Sequence, residues 1–323
     1  MHPELFRIPF TQLTVKSYGF MVVVGFICAI WVIRRLSRKF TSNPDLITNA
    51  ALYSLIAGVI GARLFYVIHY FERFRGDLLS VFAIWQGGLE LLGGVILAVA
   101  VILGYMRYHK LPARKYLDVL AIGLFVALGF GRIGCFLNGC CFGKPADVPW
   151  AVRFPYGSLP YRSQISPDIE RDRESAYLQL PAEYFGYFDD NGGWTNDLKP
   201  KDKLTAFQLE DVTHGRYRSL PVHPTQLYSS LNGFFCAFVL YLFWRRAQKS
   251  KGMFTKSGYC FALMLILYGV SRFLVEFVRD DNPFEFDSFT VSQNISIVMF
   301  IGALLLMAVF SKLTDDRSYT KRT

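Results

Sequence analysis

Seven separate stretches of this 323-residue chain are apolar over about 20 residues each, and that feature removes most folds from consideration. They lie near 18–33, 47–69, 84–106, 117–138, 225–244, 258–277 and 289–310. Hydrocarbon offers the backbone no hydrogen-bond partner, so segments of this kind cross as helices, which satisfy their own N–H and C=O groups. The expected fold class is therefore all-α, a polytopic membrane protein with seven transmembrane helices. A composition of 52% hydrophobic residues with 30 phenylalanines agrees. The opening MHPELFRIPF has no basic n-region and no cleavage site, so the first apolar run is expected to stay in place as a helix.

Charge orients these helices. The net charge of +10 is concentrated in short clusters beside the apolar runs, which argues for orientation signals and against a nucleic-acid partner. Arg34, Arg35, Arg38 and Lys39 follow the first span; Arg107, Lys110, Arg114 and Lys115 follow the third. Arg245, Arg246, Lys249, Lys251 and Lys256 follow the fifth, and Lys312, Arg317, Lys321 and Arg322 the seventh. The positive-inside rule makes those segments cytoplasmic, with the N-terminus outside and the C-terminus inside. The domains expected are 1–143 with the first four helices, 144–222 as a small extracytoplasmic head rich in turn residues, and 223–323 with the last three helices.

With that topology each polar residue acquires a depth, at about 1.5 Å per helical residue. Arg63, Arg132 and Arg272 fall roughly 20 Å from the cytoplasmic ends of their helices, in the outer half of the bilayer. Tyr18, Gln86, Glu90, His223, Gln226, Tyr228, Gln293 and Asn294 stand at the same level. An arginine in hydrocarbon costs roughly 2.5–3.5 kcal/mol on insertion scales, so three of them call for compensation. Tyr268, Arg272, Glu276 and Arg279 share one helical face, where Arg272 and Glu276 either pair with each other or help frame an anion site. Only Glu90 and Glu276 oppose the three arginines, and a bound anionic head group would complete the balance.

Glycines crowd the same level, including the doublets at Gly87 and Gly93 and the stretch GRIGCFLNGCCFG from Gly131 to Gly143. Small residues permit close helix packing. The doublets and the Gly139 to Gly143 segment also suggest broken helix ends whose free N–H groups would bind a phosphate. Cys135, Cys140 and Cys141 have neither a C-x-x-C spacing nor a nearby histidine, so packing or a disulfide is expected of them, and no metal. His223, in HPTQLY, reads equally as an interfacial histidine or an active-site one.

At this point the motifs resemble one family, the prolipoprotein diacylglyceryl transferases of bacteria. SYGFMVVVGF at Ser17, IGARLFYVIHY at Ile60, WQGGLELLGG at Trp85, HPTQLY at His223 and YGVSRFLVEFVR at Tyr268 are similar to its motifs and stand in its order. GRIGCFLNGCCFG is similar to its signature, with Arg132, Gly134, Asn138, Gly139 and Gly143 on the fixed positions. The resemblance implies a bacterial inner-membrane enzyme that needs no cofactor. It would transfer the diacylglyceryl group of phosphatidylglycerol to the lipobox cysteine of a preprolipoprotein, forming a thioether and releasing glycerol phosphate. Arg132 and Arg272 fall on the family's essential arginines, and Tyr18, Asn138, Gly143, Tyr268 and Glu276 on other positions important there.

Three departures accompany the likeness. Leu92 stands where well-known members carry a histidine proposed to be catalytic, Cys135 and Cys140 replace an asparagine and a glutamate, and Lys16 stands where some members have histidine. The base that helps deprotonate the substrate thiol is then expected to be His223 or Glu90. The expected catalytic set is Arg132, Arg272, His223, Glu90 and Tyr18, and the substrate-binding set is Arg63, Asn138, Gly139, Gly143, Tyr268, Glu276, Arg279 and Gln226. A relative that binds anionic phospholipid without turning it over is the alternative. A transporter is the weaker idea, since the cytoplasmic side offers little polar path.

Overall fold

The computed structural model describes residues 3–7, 14–83, 87–190, 192–249, 252, 256–286 and 289–313. Trp85, Gln86, Lys251, Arg317, Lys321 and Arg322 lie outside the described residues. Among the described residues, seven helices are long and apolar enough to span: α1 (Ser17–Ser37), α2 (Asp45–His69), α3 (Leu91–Tyr108), α4 (Ala113–Asn138), α7 (Thr225–Lys249), α8 (Tyr259–Glu276) and α9 (Val291–Lys312). Two short helices, α5 (Leu159–Gln164) and α6 (Ala206–Thr213), lie between the fourth and fifth spans. The rest of the regular structure among the described residues is three two-stranded antiparallel sheets and short 3-10 turns, so the chain is an all-α polytopic membrane protein.

Several helices run past their apolar stretch. α1 continues through Arg34 and Arg35, and α7 through Arg245, Arg246 and Lys249, because basic residues in a last turn suit the negative end of the helix dipole. The third span starts later than hydropathy suggests, at Leu91 instead of near Ile84. Gly87 and Gly88 have φ of +87° and +71°, a left-handed backbone that no right-handed helix accommodates. Large apolar side chains such as Ile27, Leu64, Val298 and Leu305 are exposed on the spanning helices, as a lipid-facing surface requires. α4 is the most enclosed of the seven.

The chain divides into two compact units. The first comprises Met1–Phe26, Phe125–Ala237 and Leu265–Leu305, and the second Ile27–Leu124, Phe238–Met264 and Leu306–Thr323. In the first unit β1 (Glu4–Arg7) pairs with β2 (Thr14–Lys16), and β5 (Phe284–Phe286) with β6 (Phe289–Thr290). The stretch 144–222 adds the hairpin of β3 (Phe185–Phe188) and β4 (Trp194–Leu198), in which Tyr187 faces Thr195 and Phe188 faces Trp194. Tyr156, Tyr161, Tyr184, Leu198 and Val212 form its core. α6 starts with a reciprocal capping box between Thr205 and Gln208, which satisfies two otherwise orphaned amides.

In the second unit α2 and α3 run antiparallel and approach through glycine. A Cβ on Gly93 would lie 2.5 Å from the carbonyl oxygen of Gly61, and one on Gly94 2.8 Å from that of Gly58. Only small residues permit this approach, which brings Ser54 Oγ to 3.2 Å from the Ala98 carbonyl. Asp118 accepts the Gly258 and Phe261 amides at 2.8 and 2.9 Å, capping the start of α8 from another helix.

Candidate active site

The signature GRIGCFLNGCCFG ends α4. Asn138 is its last residue, and Gly139, at φ +80°, turns the chain. The Cys140 amide bonds back to the Cys135 carbonyl at 3.2 Å and the Gly139 amide to that of Phe136 at 3.3 Å, the two bonds of a Schellman motif. The sequence reading of free amides here is corrected by this geometry. The segment is a helix C-terminus, where carbonyls are the spare groups, and the amides of Gly139, Cys140 and Gly143 all donate within the protein.

Gly143 is where three motifs meet. Its amide donates to the His223 carbonyl at 3.1 Å, it forms a β-bridge with Arg279, and the next amide, of Lys144, donates to the Val278 carbonyl at 2.8 Å. The HPTQ turn grips the signature from the other side. Thr225 Oγ1 donates to the Cys141 carbonyl at 2.6 Å, and the buried Gln226 Nε2 to that of Cys140 at 2.8 Å. Gly134 lets α1 lie against α4, since a Cβ there would meet Tyr18 Cα at 3.2 Å.

The charged face of α8 is a network. Arg272 Nη1 is 2.8 Å from Glu276 Oε2, and its Nη2 donates to Ser292 Oγ at 2.6 Å. Glu276, 3% exposed, also accepts from Asn282 Nδ2 at 2.6 Å. Arg279 makes a two-pronged contact with Asp281, both bonds 2.8 Å. Next in the chain, the buried Asp280 draws Arg171 and Arg173 of the 144–222 stretch, with Arg173 at 3.0 Å. Burial pushes the Asp280 and Asp281 carboxyls up, against the pull of their arginines.

Arg132 differs from all of these. Among the described residues its guanidinium has no ion pair and no hydrogen bond. It lines a partly open pocket with Leu128, Ser229, Asn232, Tyr268, Ser271, Arg272 and Val275. Arg132, Arg272 and Arg279 face Glu276 and Asp281, which leaves one positive charge uncompensated at the pocket. A half-buried cation in this state favours an anion.

A family model described as prolipoprotein diacylglyceryl transferase matches residues 3–309. The chain belongs to this family. A phosphatidylglycerol–prolipoprotein diacylglyceryl transferase of Photorhabdus laumondii is 32% identical over 298 residues, covering 90% of this chain and 86% of its own. One of Buchnera aphidicola is 30% identical over 316 residues, covering 94% and 96%. One of Clostridium tetani is 28% identical over 309 residues, covering 96% and 98%.

The first unit of this transferase-family chain thus gathers Tyr18, Arg132, Asn138, Gly139, Gly143, His223, Gln226, Tyr268, Arg272, Glu276 and Arg279. Arg63 and Glu90 belong to the second. All the hydrogen-bonding nitrogens of Arg63 are taken by backbone carbonyls, those of Ser80, Val81, Gly87 and Gly88, at 2.6–3.1 Å. Glu90 Oε1 is 2.8 Å from His69 Nδ1, and Leu92 is exposed. His223 Nδ1 lies 3.1 Å from Tyr228 Oη, which accepts from Trp150 Nε1 at 2.7 Å.

Ser229, Asn232, Ser292, Asn282 and His69 had not been singled out in the sequence. Ser229 and Asn232 had a signal, two polar residues three apart in an apolar helix. Ser292 and Asn282 had none, because a serine near a helix start and an asparagine in a turn are commonplace.

Proposed function

We propose that this chain transfers the diacylglyceryl group of phosphatidylglycerol to the lipobox cysteine thiol of a preprolipoprotein, in the bacterial inner membrane. The observation that carries the reading is the unpaired Arg132 beside the Glu276-held Arg272 in one pocket. The lipid phosphate sits between the two guanidiniums. The substrate sulfur attacks the glyceryl carbon, the S–C bond forms as the C–O bond to phosphate breaks, and glycerol phosphate leaves with the bonding pair. Charge accumulates on that phosphate in the transition state, where fixed donors act most strongly. Tyr268 lines the same pocket, Asn138 ends the helix that carries Arg132, Tyr18 packs on that helix at Gly134, and Gly143, Gly139 and Gln226 hold the backbone of the signature. The stretch 144–222 forms the outer head, with the N-terminus outside and the C-terminus inside, as the basic clusters indicate.

The thiol proton goes to His223 with Tyr228 as relay. Tyr228 accepts from Trp150, so its own proton points at Nδ1, and it passes that proton on as it receives the thiol's. Glu90 acts through the ring of His69 that it holds. Arg63 ties the turn before α3 through its carbonyl contacts instead of holding substrate. The experiment is complementation of a strain depleted of its own transferase, with lipidation of a lipobox peptide measured in membranes. Wild type restores growth and lipidation, and Arg132→Ala loses lipidation. Phosphatidylglycerol binding without release of glycerol phosphate would instead establish the non-catalytic reading.

A further inference from the structure

None of the chemistry above uses the thiols of Cys135, Cys140 and Cys141. Their spacing in sequence is unlike a metal motif, but the C-terminal turn of α4 changes their arrangement. The Schellman bonds fold Cys140 back over Cys135, and Cys141 adopts a left-handed φ of +60°. The three Sγ atoms lie within 4.8 Å of one another, and all three cysteines are free. Sulfurs bound to one ion at about 2.3 Å stand about 4 Å apart in a trigonal plane, so the triangle needs to contract by less than about 1 Å.

The cluster is held from outside by Thr225 and Gln226 through the carbonyls of Cys141 and Cys140. A scaffold of this kind spares the ion the cost of ordering its own loop. Arg279 and Arg132 act electrostatically on Cys141, and their charge compensates an anionic thiolate complex. Among the described residues no histidine or carboxylate joins the triangle as a fourth ligand. Zn(II) prefers four ligands, whereas Cu(I) is soft and suited to thiolates alone.

We propose that Cys135, Cys140 and Cys141 form a three-thiolate binding site for Cu(I). Binding forms three Cu–S bonds, releases three thiol protons to solvent, and leaves the oxidation state unchanged. The test is anaerobic titration of the reduced, full-length protein in detergent with Cu(I) as the metal alone, against a colorimetric Cu(I) chelator. A Cys28→Ala, Cys236→Ala, Cys260→Ala chain is expected to bind one equivalent, with three sulfur neighbours by X-ray absorption. Adding Cys140→Ser or Cys141→Ser should abolish that equivalent while the protein remains monodisperse. The proposal is overturned if the three-cysteine chain binds no Cu(I), if both serine variants bind as tightly as their parent, or if Zn(II) is retained in preference with a fourth, non-sulfur ligand.

Discussion

Gly131 and Gly143 open and close the same signature, yet alanine should be tolerated at the first and not at the second. A Cβ on Gly143 would stand 2.6 Å from both the Cβ and the carbonyl oxygen of His223, and 2.8 Å from the carbonyl oxygen of Val278. All three atoms are backbone or backbone-proximal, so the flanking segments must part by several tenths of an ångström. That movement strains the Gly143 to His223 and Lys144 to Val278 hydrogen bonds, each worth about 1 kcal/mol. Overpacking adds about 1–3 kcal/mol, for a total of about 3–5 kcal/mol. Gly131 has nothing within 4 Å of its added Cβ and lies inside α4, where alanine is the better helix former by up to about 1 kcal/mol. Thermal unfolding of the purified variants by near-ultraviolet circular dichroism is the assay. Gly143→Ala should lower the midpoint by at least about 5 °C, and Gly131→Ala should leave it within about 2 °C. Equal losses in the two variants, or none in Gly143→Ala, would refute the argument that close approach requires glycine at 143.

Further outcomes follow from the site. Ser292→Ala removes the 2.6 Å bond that aims Arg272, at about 1 kcal/mol, so transfer should slow by roughly fivefold while Arg132→Ala costs about 10²–10³ in kcat. His223→Gln and Tyr228→Phe should lower the rate of transfer, with a smaller effect from Glu90→Gln. Should all three keep the wild-type rate, a thiolate formed by the arginine field alone becomes the better account. Burial pushes Tyr156 and Tyr184 up to about 12 from 10.0. A folded-state value above the unfolded one gives stability that is whole below pH 10 and lost as pH rises through about 12, so tertiary circular dichroism of the 144–222 core should disappear as phenolate absorbance rises across that window. Tyr156→Phe should move this alkaline transition, and an unmoved midpoint would show that its phenol is not part of it.

Much of the architecture was readable along the chain, because bilayer thickness converts local hydropathy directly into helices. All seven spans were found that way, and the third was misplaced at its start only because two glycines with positive φ interrupt a run that remains apolar. The Arg272 and Glu276 pair was equally visible, since residues four apart on a helix must be neighbours. Ordered motifs carried the family resemblance, which the match over residues 3–309 bears out.

What the sequence alone could not decide was how groups far apart in the chain divide the available partners. Three arginines looked alike by depth, but Arg63 bonds to carbonyls 17–25 residues away, Arg272 to Ser292 across a turn, and Arg132 keeps its charge for the pocket. Gly139 looked like an anion-binding helix end until the direction of α4 showed that its amide was already committed. Three cysteines with an unpromising spacing became neighbours because a Schellman turn reverses the chain between them. Hydropathy and helical periodicity are properties of contiguous residues, so sequence determined the spans. Pairing and close approach depend on distances between segments, which only the tertiary structure sets.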